Sequence, residues 1–246
     1  MKYLSWQVLL GISLIVLSAI VYAIHYAIFR DPHHIFIYLV GDIAFVFIEV
    51  MLVTLIIHRV LNEREKRSRL EKLNMVIGAF FSEVGTDLLV YFSNLDPNLD
   101  EIKGHLIISS DWPEQEFHNV SRYLRNHNYG VDIQKAELEN LRNFLIGKRG
   151  SLLQLLENPS LLEHESFTEL LQAVFHLIEE LVARKELKGL PAKDRGHLAG
   201  DIQRAYRLLV QQWLAYMKHL KDEYPYLFSL AIRTNPFDEN ASAIVS

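Results

Sequence analysis

The sequence predicts an all-α protein: a two-helix transmembrane hairpin followed by a cytosolic helical-bundle domain. Two apolar runs, residues 8–29 and 36–57, are each long enough to cross the roughly 30 Å hydrocarbon core of a bilayer as a helix. The rest of the chain has helix caps, Gly and Pro breaks, and no strand-like alternation of apolar and polar residues. We therefore divide the chain into a hairpin, a charged helical stalk, an all-helical domain and a tail, at residues 1–57, 58–72, 73–233 and 234–246.

The composition limits the chemistry that the protein can perform. Half of the 246 residues are hydrophobic and the formal net charge is −5, so nothing predicts a nucleic-acid partner. No cysteine is present, which excludes disulfides, thiolate metal sites and cysteine nucleophiles. The sequence also lacks a glycine-rich phosphate loop, a nucleophile elbow and a kinase signature. It therefore predicts a protein that is not an enzyme and that carries no cofactor.

The hairpin follows from the two apolar runs and the short link between them. The first run is longer than the about 7–15 apolar residues of a secretory signal, so we interpret both runs as retained helices. Pro32 disfavours a helical residue before it and marks a tight turn over residues 30–34, which makes the helices antiparallel. No glycine or proline interrupts residues 42–77, so the second helix is predicted to continue through the stalk into the domain.

The basic residues predict the orientation in the cytoplasmic membrane. The turn carries only Arg30, whereas six basic residues follow the second apolar run: Arg59, Arg64, Lys66, Arg67, Arg69 and Lys72. Cytoplasmic flanks of membrane helices are enriched in Lys and Arg, so both termini and the large domain are expected in the cytoplasm. The sequence thus predicts a multi-pass protein whose first partner is the lipid bilayer.

Caps and breaks predict the helices of the domain. Asp111 and Ser166 are the expected N-caps of two capping boxes, and Gly147 and Gly150 are expected to stop a helix. Residues 105–108 are a candidate short strand, and the tail is expected to be extended or loose. The predicted helices cover residues 111–128, 134–146, 151–157, 166–188, 194–221 and 224–233.

Two carboxylates, Asp42 and Glu49, interrupt the second apolar run. They lie seven residues apart, so two helical turns place them on the same face. Neither apolar run contains a Lys or Arg that could neutralise them. By depth in the hairpin, Asp42 can meet Tyr22 or His25, whereas Glu49 has only Ser18 nearby. The same face continues in a heptad pattern, which is typical of helices packed around a common axis, through Tyr38, Phe45, Leu52 and Ile56.

Three interpretations of these acids remain open. They can be protonated, they can line a water-filled pore and bind cations, or they can hydrogen-bond across subunits to fix an assembly. Each requires several copies of the chain or a partner protein, so a homo-oligomer is expected. The leading hypothesis is a cation pathway lined by Asp42, Glu49 and Tyr38. The alternative is a membrane-tethered scaffold or signalling module in which the acids serve assembly only.

The N-terminal segment resembles the mitochondrial calcium uniporter family in outline. Residues 8–57 share its two helices joined by a very short outer turn, with acids near the outer end of the second helix. The likeness is architectural, because Asp42 follows Gly41 where that family has Trp, and the next acid lies seven residues on with no proline after it. The resemblance implies a cation as the possible ligand of the acidic face.

Histidine–carboxylate groups are the candidate metal ligands. Near the turn, His33 and His34 accompany Asp31 and His25. In the domain, His176 with Glu179, next to Glu180, and His197 with Asp201 each share a helix face, and facing helices can assemble a metal site from such pairs. The competing interpretation of His176 is a hydrogen-bonded core histidine. An enzyme built on His176, Glu179, His197 and Asp201 is the third functional hypothesis.

Overall fold

The computed structural model describes residues 6–158, 161 and 164–244, and every regular element within these ranges is helical. The all-α prediction is therefore confirmed. The chain divides into two compact units, Met1–Lys66 and Arg67–Ser246, which are described separately. The α-helices of the described ranges are α1 (Trp6–Phe29), α2 (Pro32–Phe80), α3 (Thr86–Ser93), α4 (Leu99–Leu106), α5 (Glu114–Asn126), α6 (Leu138–Leu156), α7 (Glu165–Ala183), α8 (Ala192–Glu223) and α9 (Pro225–Arg233).

The link between α1 and α2 is only two residues long. Arg30 has a φ of 51°, a left-handed conformation that is uncommon for a residue other than glycine and that ends α1. Asp31 then caps α2, because its Oδ1 accepts the backbone N–H groups of His33 at 2.9 Å and His34 at 3.2 Å. With Pro32 as the first helical residue, α2 begins four residues earlier than the predicted start at residue 36.

A π-helical turn, Phe81–Gly85, separates α2 from α3. As predicted, no break occurs in α2 between residues 42 and 77. The turn closes when the backbone N–H and the Oγ1 of Thr86 both donate to the carbonyl oxygen of Phe81. Gly85 makes the turn possible, because a Cβ at this position would lie 2.7 Å from ring atoms of both Phe80 and Phe81.

The core of the second unit is built around α8. This helix packs against α7, α5, α9 and α3, and α7 packs in turn against α6. Aromatic rings fill the layer between them: Phe80 meets Phe167 edge-on at 5.3 Å between centroids, and Phe92 meets Tyr206 at 6.2 Å. All four side chains are fully buried, so this layer ties the end of α2 and the whole of α3 to the α7–α8 pair.

The boundaries of α4 and α6 differ from the predictions. Residues 105 and 106 end α4 and Ile107 is its C-cap, so the candidate strand at 105–108 is wrong. The two helices predicted around residue 149 are one helix, α6, because Gly147 and Gly150 lie inside it. A helical glycine costs only about 1 kcal/mol, whereas ending α6 here would separate Leu145 and Leu152, which are both buried on one face.

The helix starts at α5 and α7 also differ from the predicted capping boxes. Helix α5 begins at Glu114 with Pro113 as its N-cap, not Asp111. Helix α7 begins at Glu165, and its N-cap is His164, whose Nδ1 accepts the backbone N–H of Phe167 at 3.3 Å. An imidazole can supply the same acceptor as a serine hydroxyl, a role that sequence rules for N-caps do not include.

Part of the tail is docked rather than loose. Asn235 and Phe237 are buried, although both follow the last helix. Asn235 Nδ2 donates to the carbonyl oxygen of Leu106 at 2.8 Å, and the ring of Phe237 packs edge-on against Trp213 at 5.1 Å between centroids. These contacts hold the chain after α9 against α4 and α8.

Candidate functional site

The two acids of the second apolar run are exposed on α2. No hydrogen bond or ion pair within the described part of the chain involves Asp42 or Glu49, and neither Tyr22 nor Ser18 is joined to them. The predicted partner His25 instead packs against the rings of Phe29 and His34, at 4.8 and 6.1 Å between centroids.

The heptad face around the acids is exposed along its whole length. Helices α1 and α2 both contain windows that are long and apolar enough to cross a membrane, and no residue of either window is buried. Tyr38 is 59% exposed and contacts His34 at 4.7 Å between ring centroids. Phe45, Leu52 and Ile56 are exposed to a similar degree. A single chain therefore offers this face no cover.

Within the described residues, the histidines near the turn are not gathered into a cluster with Asp31. Asp31 is occupied as the cap of α2, where it binds the backbone of His33 and His34 rather than gathering their rings. Among the residues that the structure describes, the one group of three or more histidines and carboxylates close enough to share a metal ion lies elsewhere, in the second unit.

That group joins α7 and α8, which pack side by side. His176 and Glu180 lie one turn apart on α7, and His197 and Asp201 lie one turn apart on α8. One ligand atom from each residue lies within 4.8 Å of all the others. We refer to these four residues as the His–carboxylate ring.

Imidazoles and carboxylates alternate around the ring. His176 Nε2 lies 3.9 Å from Glu180 Oε1 and 3.5 Å from Asp201 Oδ1. His197 Nε2 lies 3.5 Å from Glu180 Oε2 and 3.4 Å from Asp201 Oδ2. Each imidazole therefore faces both carboxylates, one from its own helix and one from the other helix.

The sequence predicts three of the four ring residues as candidate ligands, together with Glu179. Arg149 Nη2 donates to Glu179 Oε1 at 2.9 Å. The structure brings Glu180 into the ring instead of Glu179. The signal was present, because His197 and Asp201 are four residues apart and only Glu180 gives the same spacing from His176. The predicted core hydrogen bond for His176 is absent from the described contacts, and its side chain is 44% exposed.

An arginine holds one edge of the ring. Arg184 Nη1 donates to Glu180 Oε2 at 2.7 Å, while its Nη2 and Nε donate to the two oxygens of Asp194 at 2.6 and 2.9 Å. These hydrogen bonds keep the pKa values of Glu180 and Asp194 below their usual range. Arg184 thus links the end of α7 to the start of α8.

Replacing Arg184 by methionine should lower the melting temperature of the protein by a few degrees near pH 7. Carboxyl groups with a lowered pKa in the folded state stabilise it above their unfolded pKa of about 4 and lose that contribution as the pH falls further. The wild type should therefore lose more stability than the variant between about pH 5 and pH 3.

The melting temperature of the full-length protein is measured against pH. A chelator is present, so that metal ions bound by histidines or carboxylates do not add to the stability. Lys188→Gln is the matched control, because Lys188 is 87% exposed and its ion pair with Glu139 is long, at 3.9 Å. An exposed pair of this kind contributes little to stability. If the melting temperatures of the wild type and the Arg184 variant change in parallel with pH, Arg184 does not stabilise the fold through Glu180 and Asp194.

Comparisons with known proteins agree with the class that this architecture defines: an all-helical protein with two apolar N-terminal helices and a separate helical unit. A family model described as "MJ1433, N-terminal helical domain" matches residues 2–61, and one described as "Uncharacterized protein MJ1433, C-terminal helical domain" matches residues 69–233.

The chain belongs to the MJ1433 family. It is 48% identical over 240 residues to "Uncharacterized protein MJ1433" of Methanocaldococcus jannaschii, a match that covers 98% of this chain and 96% of the relative. No solved structure matches the chain.

Proposed function

We propose that the protein is an oligomer in the cytoplasmic membrane and that the face of α2 with Asp42 and Glu49 lines a cation pathway. Residues 8–29 and 36–57 cross the bilayer as a hairpin, with both termini and the helical unit in the cytoplasm. Twenty-two helical residues span about 33 Å, enough for the roughly 30 Å hydrocarbon core. The basic residues after residue 57 support this orientation.

The observation that carries the proposal is the lack of any described partner for Asp42 and Glu49 on an exposed apolar helix. A charged side chain facing lipid at mid-membrane costs about 2.5–3.5 kcal/mol or more. Further copies of the chain remove that cost by covering the face and enclosing water around the acids. The heptad spacing supports this arrangement, because it lets identical α2 helices pack around one axis with both acids facing it.

In the assembled pathway, Asp42 forms a ring near the outer entrance and Glu49 a second ring about 10 Å deeper along α2. Carboxylate rings attract cations and replace part of their hydration shell. Tyr38 lies one turn outside Asp42 on the same face, where its hydroxyl can contact a hydrated ion. No step of this pathway requires a cofactor or a chemical reaction.

Glu49→Gln should reduce cation flux through the reconstituted protein by about tenfold or more, since a charged ring raises the local cation concentration roughly 10- to 1000-fold. Asp42→Asn should act in the same direction. Flux of Na⁺, K⁺, Mg²⁺ and Ca²⁺ into liposomes is measured beside the mass of the oligomer. Glu63→Gln is the matched control, because it removes the same charge from an exposed position of α2 that pairs with Arg59.

Cation flux and oligomer mass together distinguish a cation pathway from a membrane-tethered scaffold. A pathway loses flux in the Glu49 variant while the oligomer stays intact. If the wild-type oligomer passes none of the four ions, and the variants weaken the oligomer instead, the acids serve assembly and the protein is a membrane-tethered scaffold.

A further inference from the structure

We propose that the His–carboxylate ring of α7 and α8 is a binding site for one divalent transition-metal ion, with zinc as the reference ion. The ligands are Nε2 of His176 and His197 and one oxygen each of Glu180 and Asp201. The site lies within the second unit, and it does not depend on the cation pathway proposed for α2.

The spacing of the ring is close to the size of a metal coordination shell. Zinc binds imidazole nitrogen and carboxylate oxygen at about 2.0–2.2 Å, which places neighbouring ligands of a tetrahedron about 3.3–3.5 Å apart. The imidazole–carboxylate separations in the ring are 3.4, 3.5, 3.5 and 3.9 Å, and they involve both oxygens of each carboxylate. When each residue contributes one ligand atom, the four atoms lie within 4.8 Å of one another, so the side chains must draw in by roughly 1 Å to surround an ion.

Asp201 supplies the strongest sign that the ring needs a cation. Its side chain is 2% exposed, and its Oδ2 is buried without a hydrogen-bond partner in the described structure. The two imidazoles approach Asp201 at 3.4 and 3.5 Å without giving this oxygen a hydrogen bond, and a buried polar atom without one is costly. Arg204 lies 3.4 Å from Oδ1, but its side chain is 54% exposed and it does not reach the free oxygen. The free Oδ2 faces His197, on the side where a shared ion would sit.

The charges of the site favour a divalent ion. The two carboxylates carry two negative charges, and an imidazole binds a metal ion in its neutral form. Arg184 offsets the charge of Glu180 only in part, because two of its four hydrogen bonds go to Asp194, one goes to the Glu180 carbonyl oxygen and one goes to Glu180 Oε2. Glu180 Oε1 therefore remains available, held toward the ring by an outer-shell contact of the kind that orients metal-binding carboxylates.

The ligand types and the exposure of the ring indicate which ions fit. Two imidazoles with two carboxylates suit zinc, cobalt, iron, manganese and nickel, whereas calcium and magnesium prefer all-oxygen sites. His176 and His197 are 44% and 53% exposed, so the ion can enter from solvent on the imidazole side while Asp201 closes the buried side.

The test is zinc binding to the full-length protein in detergent after removal of metal with a chelator. Isothermal titration should give one Zn²⁺ per chain, and His197→Ala should weaken binding by at least about tenfold. His197 is half-exposed, so this variant retains the fold, which the melting temperature verifies. Cobalt added to the wild type should give the visible absorption of a four-coordinate site, and the His197 variant should lose it.

His118→Ala is the matched control. His118 also lies one turn from a glutamate, 3.8 Å from Glu114, but it is 62% exposed and no second helix completes a ring there. The His118→Ala variant should bind zinc as tightly as the wild type does. The proposal is overturned if the wild type does not bind stoichiometric zinc, or if the His197 and His118 variants bind it equally well.

Discussion

Replacing Phe167 by alanine should lower the free energy of unfolding of the second unit by about 3–5 kcal/mol, the range for removing a fully buried phenylalanine. The side chain is completely buried, and its ring meets the edge of Phe80, which lies at the end of α2. Neighbouring groups cannot move in to fill the space of the missing ring, because α7 is packed against α8. The truncation therefore leaves a cavity in the aromatic layer.

The measurement for Phe167 is chemical unfolding of the detergent-solubilised chain, followed by near-ultraviolet circular dichroism. Val182→Ala is the control on the same helix: its side chain is 49% exposed, so the change should stay within about 0.5 kcal/mol. A loss below about 1 kcal/mol for the Phe167 variant would show that the core closes around the missing ring.

Gly85→Ala should destabilise the same unit by about 1–3 kcal/mol, because overpacking forces core side chains out of place. The added Cβ would stand 2.7 Å from ring atoms of Phe80 and Phe81, which are both buried. Neither ring can swing into solvent, so the π-helical turn or the aromatic layer must shift.

Gly147→Ala is the matched control for Gly85, and its effect should have the opposite sign. Nothing lies within 4 Å of a Cβ at Gly147, which is exposed in the middle of α6. Alanine there should stabilise the protein by about 0.5–1 kcal/mol, since glycine loses more backbone entropy in a helix. Equal effects of the two substitutions in thermal unfolding would contradict the crowded geometry at Gly85.

The helices were predictable where one rule acted alone. The absence of Gly and Pro over residues 42–77 predicted the long run of α2, and caps and breaks predicted a helix at residues 194–221 that agrees with α8 to within two residues at each end. Where two local signals competed with packing, the prediction failed: Gly147 and Gly150 indicated a break, but the buried leucines on the other side of α6 keep the helix intact. The π-helical turn left no signal, because one additional residue in a turn does not alter composition or periodicity.

The candidate metal site was predictable in part for a similar reason. Spacing along one helix identified pairs of residues that share a face, and His197 with Asp201 is such a pair. The four-residue spacing of His176 and Glu180 indicated which glutamate joins them, but only the packing of α7 against α8 brings the two pairs opposite each other. Glu179 and Glu180 are adjacent in sequence, yet one binds Arg149 at the surface and the other completes the ring.

The docking of the chain after α9 makes Trp213 an optical reporter. Of the three tryptophans, Trp6 is exposed, Trp112 is half-buried, and Trp213 is 4% exposed beneath the ring of Phe237. The buried indole emits at shorter wavelength than the other two as long as Phe237 covers it. Detachment of the segment would bring water to that indole and shift its fluorescence to the red, so the state of the C-terminal segment can be followed in the unlabelled protein.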